Sequence, residues 1–265
     1  MKPATFLTFL AIGLQATATY AHDFPKMDEA LPKNIDIRSI TPLLDFDEDS
    51  CLPSTAVSRE GKQNGGLKTT GNIAGGCRDK EDFLEYSNTY YRYVCANYEG
   101  KKYCGHMFAL YFQKDQATLL GLGHRHDWEH VTVWTTDGVV THGSASAHGG
   151  GKTASFGAIP NEDQHLLFVY HKDDVQTHAM RFADADDQAE AENPYKQFVL
   201  PPVVSWYSMQ GDGALDNETL RNMINGLNFG SAHCPLLDGD FLRNLNSLKP
   251  EGYPTFTDAD MIQSK

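Results

Sequence analysis

The run Gly123-His124-Arg125-His126-Asp127-Trp128-Glu129-His130 passes without a break into Val131-Thr132-Val133-Trp134, and this junction constrains the chain more than any other feature. The branched and aromatic continuation is a strand signal, so the eight residues before it read as the start of the same strand. Charged and imidazole groups packed this densely are costly to bury unpaired. The run therefore marks a site built on a strand.

Three chemistries can use these residues. A zinc hydrolase wants His-Glu-x-x-His on a helix, where both imidazoles share a face. His126 and His130 have the right interval, but Glu129 stands beside the second His. On a strand the pair is separated by roughly 13 Å, too far for one metal. Acid/base catalysis is the second case: Asp127 and Glu129 share a strand face roughly 7 Å apart, yet no acid is placed opposite them across a scissile bond. The third is a hard-cation site, in which carboxylate oxygens supply what Ca²⁺ or Mg²⁺ prefers and waters complete the shell. Asp115, at the end of the preceding strand-like segment, is the natural upstream acid if residues 116–122 form a Leu/Gly loop. His124 then holds a bound water. The plain alternative is an exposed, salt-bridged strand with Arg125 among the acids.

A second acidic cluster, Asp45-Phe46-Asp47-Glu48-Asp49-Ser50, has alternating carboxylates suited to a cation loop through Asp45, Asp47 and Asp49. It departs from the EF-hand pattern, with Ser50 at the turn glycine and Leu52-Pro53 following. A solvated acidic turn fits it equally well.

The chain opens with Met1-Lys2-Pro3, an apolar run from Phe6 to Leu14, and small residues ending in Thr19-Tyr20-Ala21. This reads as a secretory signal peptide over residues 1–21. Its removal takes away one Lys and no acid, so the formal net charge passes from -13 to -14. Such a surface excludes nucleic acid and simple adhesion to anionic lipid as partners. An oxidising destination calls for disulfides among Cys51, Cys77, Cys95 and Cys104, with connectivity open and Cys234 the candidate odd thiol. Asn217-Glu218-Thr219 is a candidate glycosylation acceptor.

Short branched or aromatic runs at 108–112, 131–134, 166–170, 177–182 and 203–206, separated by Gly, Asp and Asn, predict a mostly antiparallel sheet. Residues 64–76 read as a Gly-rich loop, and 79–93 is ambiguous between helix and strand. Helices are expected near the C-terminus, one capped by Asp216 and one by Asp238. The fold class expected is mainly β with peripheral α-helices, in a single domain. Its divisions are an N-terminal arm at 22–40, a domain at 41–248 and an irregular tail at 249–265.

The heptapeptide Gly123–Glu129 resembles the signature of the necrosis- and ethylene-inducing-peptide-like (NLP) family. Phe108-Ala109-Leu110-Tyr111-Phe112-Gln113-Lys114-Asp115 resembles that family's aromatic strand ending in Lys-Asp. Ser146-Ala147-His148-Gly149, Val169-Tyr170-His171, Thr177-His178 with Arg181-Phe182, and Asn228-Phe229-Gly230 followed by Pro235 extend the match over roughly residues 40–246. Lys114-Asp115-Gln116, the extra cysteines and the acidic segment from Leu44 to Pro53 are similar to the second subtype.

The resemblance implies a β-sandwich like that of actinoporins and fungal lectins. It also implies a secreted, extracellular cytolysin that uses Ca²⁺ or Mg²⁺, binds sugar headgroups of plant plasma-membrane sphingolipids and damages eudicot membranes through peripheral contact. Asp115 and Asp127 would be direct metal ligands, with His124 and Glu129 reaching the ion directly or through water. Arg125 and His126 would buttress the site, Trp128 would pack in the core, and His148 and Trp206 would flank the sugar and membrane surface. The expectation is a non-enzymatic monomer, since the motif holds no nucleophile or opposed acid pair. The alternatives are a non-cytotoxic glycan-binding member of the family and a secreted divalent-metal hydrolase.

Overall fold

Alternation along two long strands builds two cores. In β2 (Thr89–Tyr98) and β3 (Lys101–Gln116), Tyr90, Val94, Met107, Ala109 and Tyr111 face one core, while Tyr91, Tyr93, Phe108, Leu110 and Phe112 face the other. Successive side chains of a strand point to opposite sides, so strands apolar on both faces must lie between two layers. The computed structural model describes residues 24–263 except Val175; the signal-peptide expectation at 1–21 lies outside the described residues.

The larger sheet adds β4 (Gly123–Thr136), β5 (Val139–Ala147), β6 (Gly150–Ser155) and β10 (Val203–Ser205), in the order β10-β2-β3-β4-β5-β6. The smaller contains β1 (Leu43–Phe46), β7 (Asn161–Glu162), β8 (His165–Lys172) and β9 (His178–Phe182), with β8 pairing with the other three. The first core fills the space between the sheets, where Phe46, Phe168, Tyr170 and Met180 meet Phe108, Phe112, Val131 and Val133. A short helix, α1 (Ala185–Ala189), follows β9 with Asp184 and Asp187 forming a capping box.

The second core lies on the outer face of the larger sheet under α2 (Asn217–Asn225), α3 (Phe241–Ser247) and α4 (Asp258–Gln263). Leu220 and Ile224 of α2 and Phe241 and Leu245 of α3 face inward. The protein is thus a sandwich-like, mainly β fold with peripheral helices, as the strand and helix signals indicate. The ambiguous segment 79–93 divides into a 3₁₀ turn at Phe83–Glu85 and the start of β2.

Asp216 caps α2 by accepting from the Thr219 N–H, as expected. Asp238 does not cap α3, whose N-cap position is Asp240; its carboxylate is taken by Arg92 (2.9 Å), Trp206 and Asn225. The tail at 249–265, expected to be irregular, forms α4 and buries Tyr253, Phe256 and Met261. Phe256 stacks on Trp134 and the Tyr253 hydroxyl bonds Thr141, so a few apolar side chains dock an otherwise polar segment.

The described residues contain two disulfides, Cys51–Cys77 and Cys95–Cys104, which join adjacent loops and adjacent strands. Cys234 is the buried free thiol, pushed up to about 12 by burial. No helix among the described residues is long and apolar enough to cross a membrane.

Candidate cation site and its flanking cavity

In the β3–β4 ladder Asp115 faces His124 and Phe112 faces Asp127. His124 and Asp127 are three apart, so a regular strand would point them to opposite faces. Between them His126 adopts φ +63°, a left-handed conformation uncommon for a residue with a side chain. The resulting kink brings both to one place: one donor atom each from Asp115, His124 and Asp127 lies within 4.8 Å of the others.

Neighbouring groups hold that kink. The Tyr111 hydroxyl meets His126 Nδ1 at 2.6 Å, and Phe229 packs edge-on against the ring. Arg125 donates to the carbonyl of Gly65 (2.7 Å), tying the strand to the 64–76 loop. Gly123 has φ +129°, and a Cβ there would sit 2.0 Å from the Asp115 carbonyl oxygen, so the run must begin with glycine. Trp128 points to the opposite face, between Tyr90, Tyr111 and Phe229.

Each carboxylate is oriented. Asp115 Oδ1 accepts from the His178 N–H (3.0 Å) and faces His178 Nδ1 (2.7 Å). Asp127 accepts from its neighbour's Trp128 N–H (2.9 Å) and from the Tyr170 hydroxyl (2.8 Å). Glu129 accepts from the Ser146 hydroxyl. His124 Nδ1 lies 2.7 Å from the His126 carbonyl oxygen, which can only accept. The proton therefore sits on Nδ1, leaving the Nε2 lone pair directed into the site, 3.8 Å from Asp115 Oδ2.

The electrostatics fit a hard cation. Burial pushes Asp127 well above the usual carboxylate range, and the charges of Asp115 and Glu129 add to the rise. Burial likewise pushes Glu129 up to about 8, although Ser146 pulls it back. Buried carboxylates that raise one another form an anionic cage, and a divalent cation relieves it with the oxygen ligands Ca²⁺ and Mg²⁺ take. Asp115, Asp127 and His124 would hold it directly, and Glu129, outside the close triplet, would act through water. When bound, the ion would supply a concentrated positive charge to ligand oxygens.

A cavity of about 450 Å³ opens beside the triplet. It runs from Glu129, Ser146 and His148 to Asp240, Arg243 and Asn244 of the α3 region. His148 lines it at the β5–β6 turn and bonds Asp173 at 2.9 Å. His130, on the same wall, has a buried Nε2 with no hydrogen-bond partner among the described residues.

Other predicted site residues lie elsewhere. Trp206 is 1% exposed and belongs to the helix-side core, where Arg92 stacks on its ring and Asp238 accepts its N–H. It does not flank the cavity, because an indole beside a buried guanidinium is more stable packed than wet. Asp45, Asp47 and Asp49 do not converge on an ion. Asp45 is buried and accepts from the backbone N–H groups of Glu192 and Asn193, Asp47 faces Arg181 at 3.6 Å, and Asp49 offers its carbonyl to His178 Nε2. The Asn217 Nδ2 donates to the carbonyls of Trp206 and Met209 at the start of α2.

The fold and site define a class: a sheet sandwich whose kinked hairpin gathers acids and an imidazole into a candidate cation site beside a polar cavity. The chain belongs to the necrosis-inducing protein (NPP1) family, whose model matches residues 36–248. It is 30% identical to NLP effector protein 2 of Phytophthora capsici over 217 residues, 76% of this chain and 74% of the relative. It also superimposes on NLPPya in complex with mannosamine, with TM-score 0.67 and 26% identity, covering 87% of this chain and 98% of the other. Non-toxic HaNLP3 shares the fold at TM-score 0.67 and 24% identity, covering 88% of this chain and 100% of the other.

Proposed function

We propose that this family member is a secreted cytolysin that holds Ca²⁺ or Mg²⁺ at Asp115, His124 and Asp127. With it the protein binds the sugar headgroup of plant sphingolipids and damages eudicot plasma membranes without chemical turnover. The observation that carries the reading is the adjacency of the Asp115, His124 and Asp127 triplet to a polar cavity large enough for a sugar. A cation at the cavity wall would polarise sugar hydroxyls, while Ser146 and His148 offer hydrogen-bonding groups beside it. Binding of mannosamine by a relative of the same fold supports a sugar ligand here.

The test compares wild type with Asp127→Asn in eudicot leaf infiltration and in dye leakage from sphingolipid vesicles, with the lipids weighed afterwards by mass spectrometry. Cation-dependent leakage with unchanged lipid, lost in the variant, is expected. Converted lipid would establish a hydrolase instead. A second reading, a glycan-binding member that kills nothing, is favoured by the non-toxic relative of the same fold. Headgroup binding without leakage or lesion would select it.

A further inference from the structure

The hairpin that carries the cation site ends in three exposed leucines. Leu119 is 71%, Leu120 93% and Leu122 63% exposed, whereas the other large apolar side chains exposed among the described residues, such as Val139 and Met223, lie singly on distant elements. Scattered apolar residues are ordinary on a surface, but a cluster on a convex tip is not.

The tip is a defined structure. The Gly121 N–H donates to the Thr118 carbonyl (3.0 Å), placing Leu119 and Leu120 at the crown of a turn, and the Ala117 N–H donates to the Leu122 carbonyl (2.7 Å). Gln116 Nε2 bonds the carbonyls of Gly71 and Thr118, clamping the turn from the side. Gly121, at φ +84°, lies so close to the loop that a Cβ would be 2.5 Å from the Thr69 carbonyl oxygen. The leucines are thus held outward while the backbone polar groups beneath them are paired.

Charge and position identify what the tip meets. From Gln116 to His124 the sequence has no acid, in a chain of net charge -13. Arg125 follows it, and exposed Lys68 adjoins Thr69 in the abutting loop. An uncharged apolar tip with a cationic rim matches the interfacial zone of a bilayer, where leucines enter and basic groups meet phosphates. The crown stands no more than roughly 17 Å from Asp115, counting five residues to Leu120 at the strand rise. A tip seated at headgroup depth therefore puts the cation site among the headgroups.

We propose that Leu119, Leu120 and Leu122 form a membrane-inserting tip that docks the protein on the lipid bilayer, resting on the membrane reading above. Sugar binding at the cation site and apolar insertion at the tip then act as two linked contacts, each raising the effective concentration of the other.

The test uses the full chain with vesicles of phosphatidylcholine carrying plant sphingolipid extract, in Ca²⁺ or Mg²⁺. Leu120→Trp supplies a reporter, since native Trp128, Trp134 and Trp206 are buried. Brominated phosphatidylcholine should quench Leu120→Trp but leave Val139→Trp, at the far hairpin, unaffected. The triple change Leu119→Ser, Leu120→Ser and Leu122→Ser should weaken vesicle binding about tenfold or more, since three apolar side chains leave the lipid, while binding to the isolated sugar headgroup is unchanged. Vesicle-bound Leu120→Trp without quenching, or a triple variant that sediments like wild type, overturns the tip while leaving the site reading intact. Wild type that binds the soluble headgroup but no vesicle also overturns it. Wild type that binds neither removes the sugar site as well. If the triple change converts a dimer to a monomer in light scattering and vesicle binding is unaltered, the tip is a contact between copies and the proposal fails.

Discussion

His178 grips Asp115 twice: its backbone N–H (3.0 Å) and its ring Nδ1 (2.7 Å) both reach the same carboxylate oxygen. The contact joins β9 of the smaller sheet to the end of β3 in the larger one, and Nε2 of the same ring faces the Asp49 carbonyl at 3.2 Å. The candidate cation site therefore sits on the larger sheet while the smaller one orients its Asp115 carboxylate.

The first prediction concerns that link. His178→Ala leaves the backbone donor but frees the carboxylate to turn, so cation affinity should fall roughly 10–100-fold, as for other groups that orient a metal ligand. Stability should fall by about 1–3 kcal/mol from the polar groups left unpaired. Calorimetric titration and thermal melting give both numbers. Unchanged affinity would mean that the strand alone positions Asp115.

Stability in the presence of a chelator should depend on pH in two regimes. Glu129 is raised to about 8 and Asp47 to about 7, both by burial, and Asp127 is also raised. Each stays protonated in the folded chain after the unfolded chain has released its proton, so each lowers stability as pH rises toward its folded value. His106, lowered to about 3, and His126 and His130, lowered to about 4, act oppositely up to about 6.5. The two sets oppose each other below pH about 6.5, and the acids act alone above it. Melting temperature should therefore be nearly level to pH about 6.5 and fall toward pH about 8. Saturating Ca²⁺ or Mg²⁺ should remove the share of that fall due to Asp127 and Glu129, because the ion takes the deprotonated site and binds more tightly as pH rises, and should leave only the share of Asp47, which ends near pH 7. A decline that persists above pH about 7 at saturating cation would place its source outside the cation site.

Trp206→Phe should leave cation and sugar binding untouched while lowering stability by about 1–3 kcal/mol through lost burial and the lost hydrogen bond to Asp238, whose Oδ1 keeps Arg92. A combined melting and sugar-titration experiment separates the two. Loss of sugar binding at full stability would return Trp206 to the cavity.

The sequence could be read as far as its periodicities and residue types reach. Strand signals at 108–112, 131–134 and 166–170 all fall in strands, and the requirement that the acids of the run be joined by Asp115 is met across the β3–β4 ladder. The role of His124 was legible only in part. A strand of regular alternation turns it away from Asp127, and nothing in the letters announces a left-handed His126. The supports His178 and Tyr170 lie more than forty residues away along the chain, on the other sheet, so no local pattern ties them to the acids. The opposite error occurred at Asp45, whose spacing suits an ion loop but whose carboxylate is consumed by the Glu192–Asn193 backbone. Local spacing reports which groups are available, and tertiary hydrogen bonds decide which remain free.

The kink at His126 makes the last prediction. If its φ of +63° is what turns His124 and Asp127 to one side, the backbone conformation matters apart from the imidazole. Asn tolerates the left-handed region and Val does not, because a branched Cβ crowds the following carbonyl. Both substitutions lose the Tyr111 contact, so that loss cancels in the comparison. His126→Val should be less stable than His126→Asn by about 1–3 kcal/mol, the cost of holding a β-branched residue in that conformation. It should also bind Ca²⁺ or Mg²⁺ at least about tenfold more weakly as the strand relaxes toward regular alternation. Equal affinities in the two variants would show that the ring and its Tyr111 bond, rather than the kink, assemble the site.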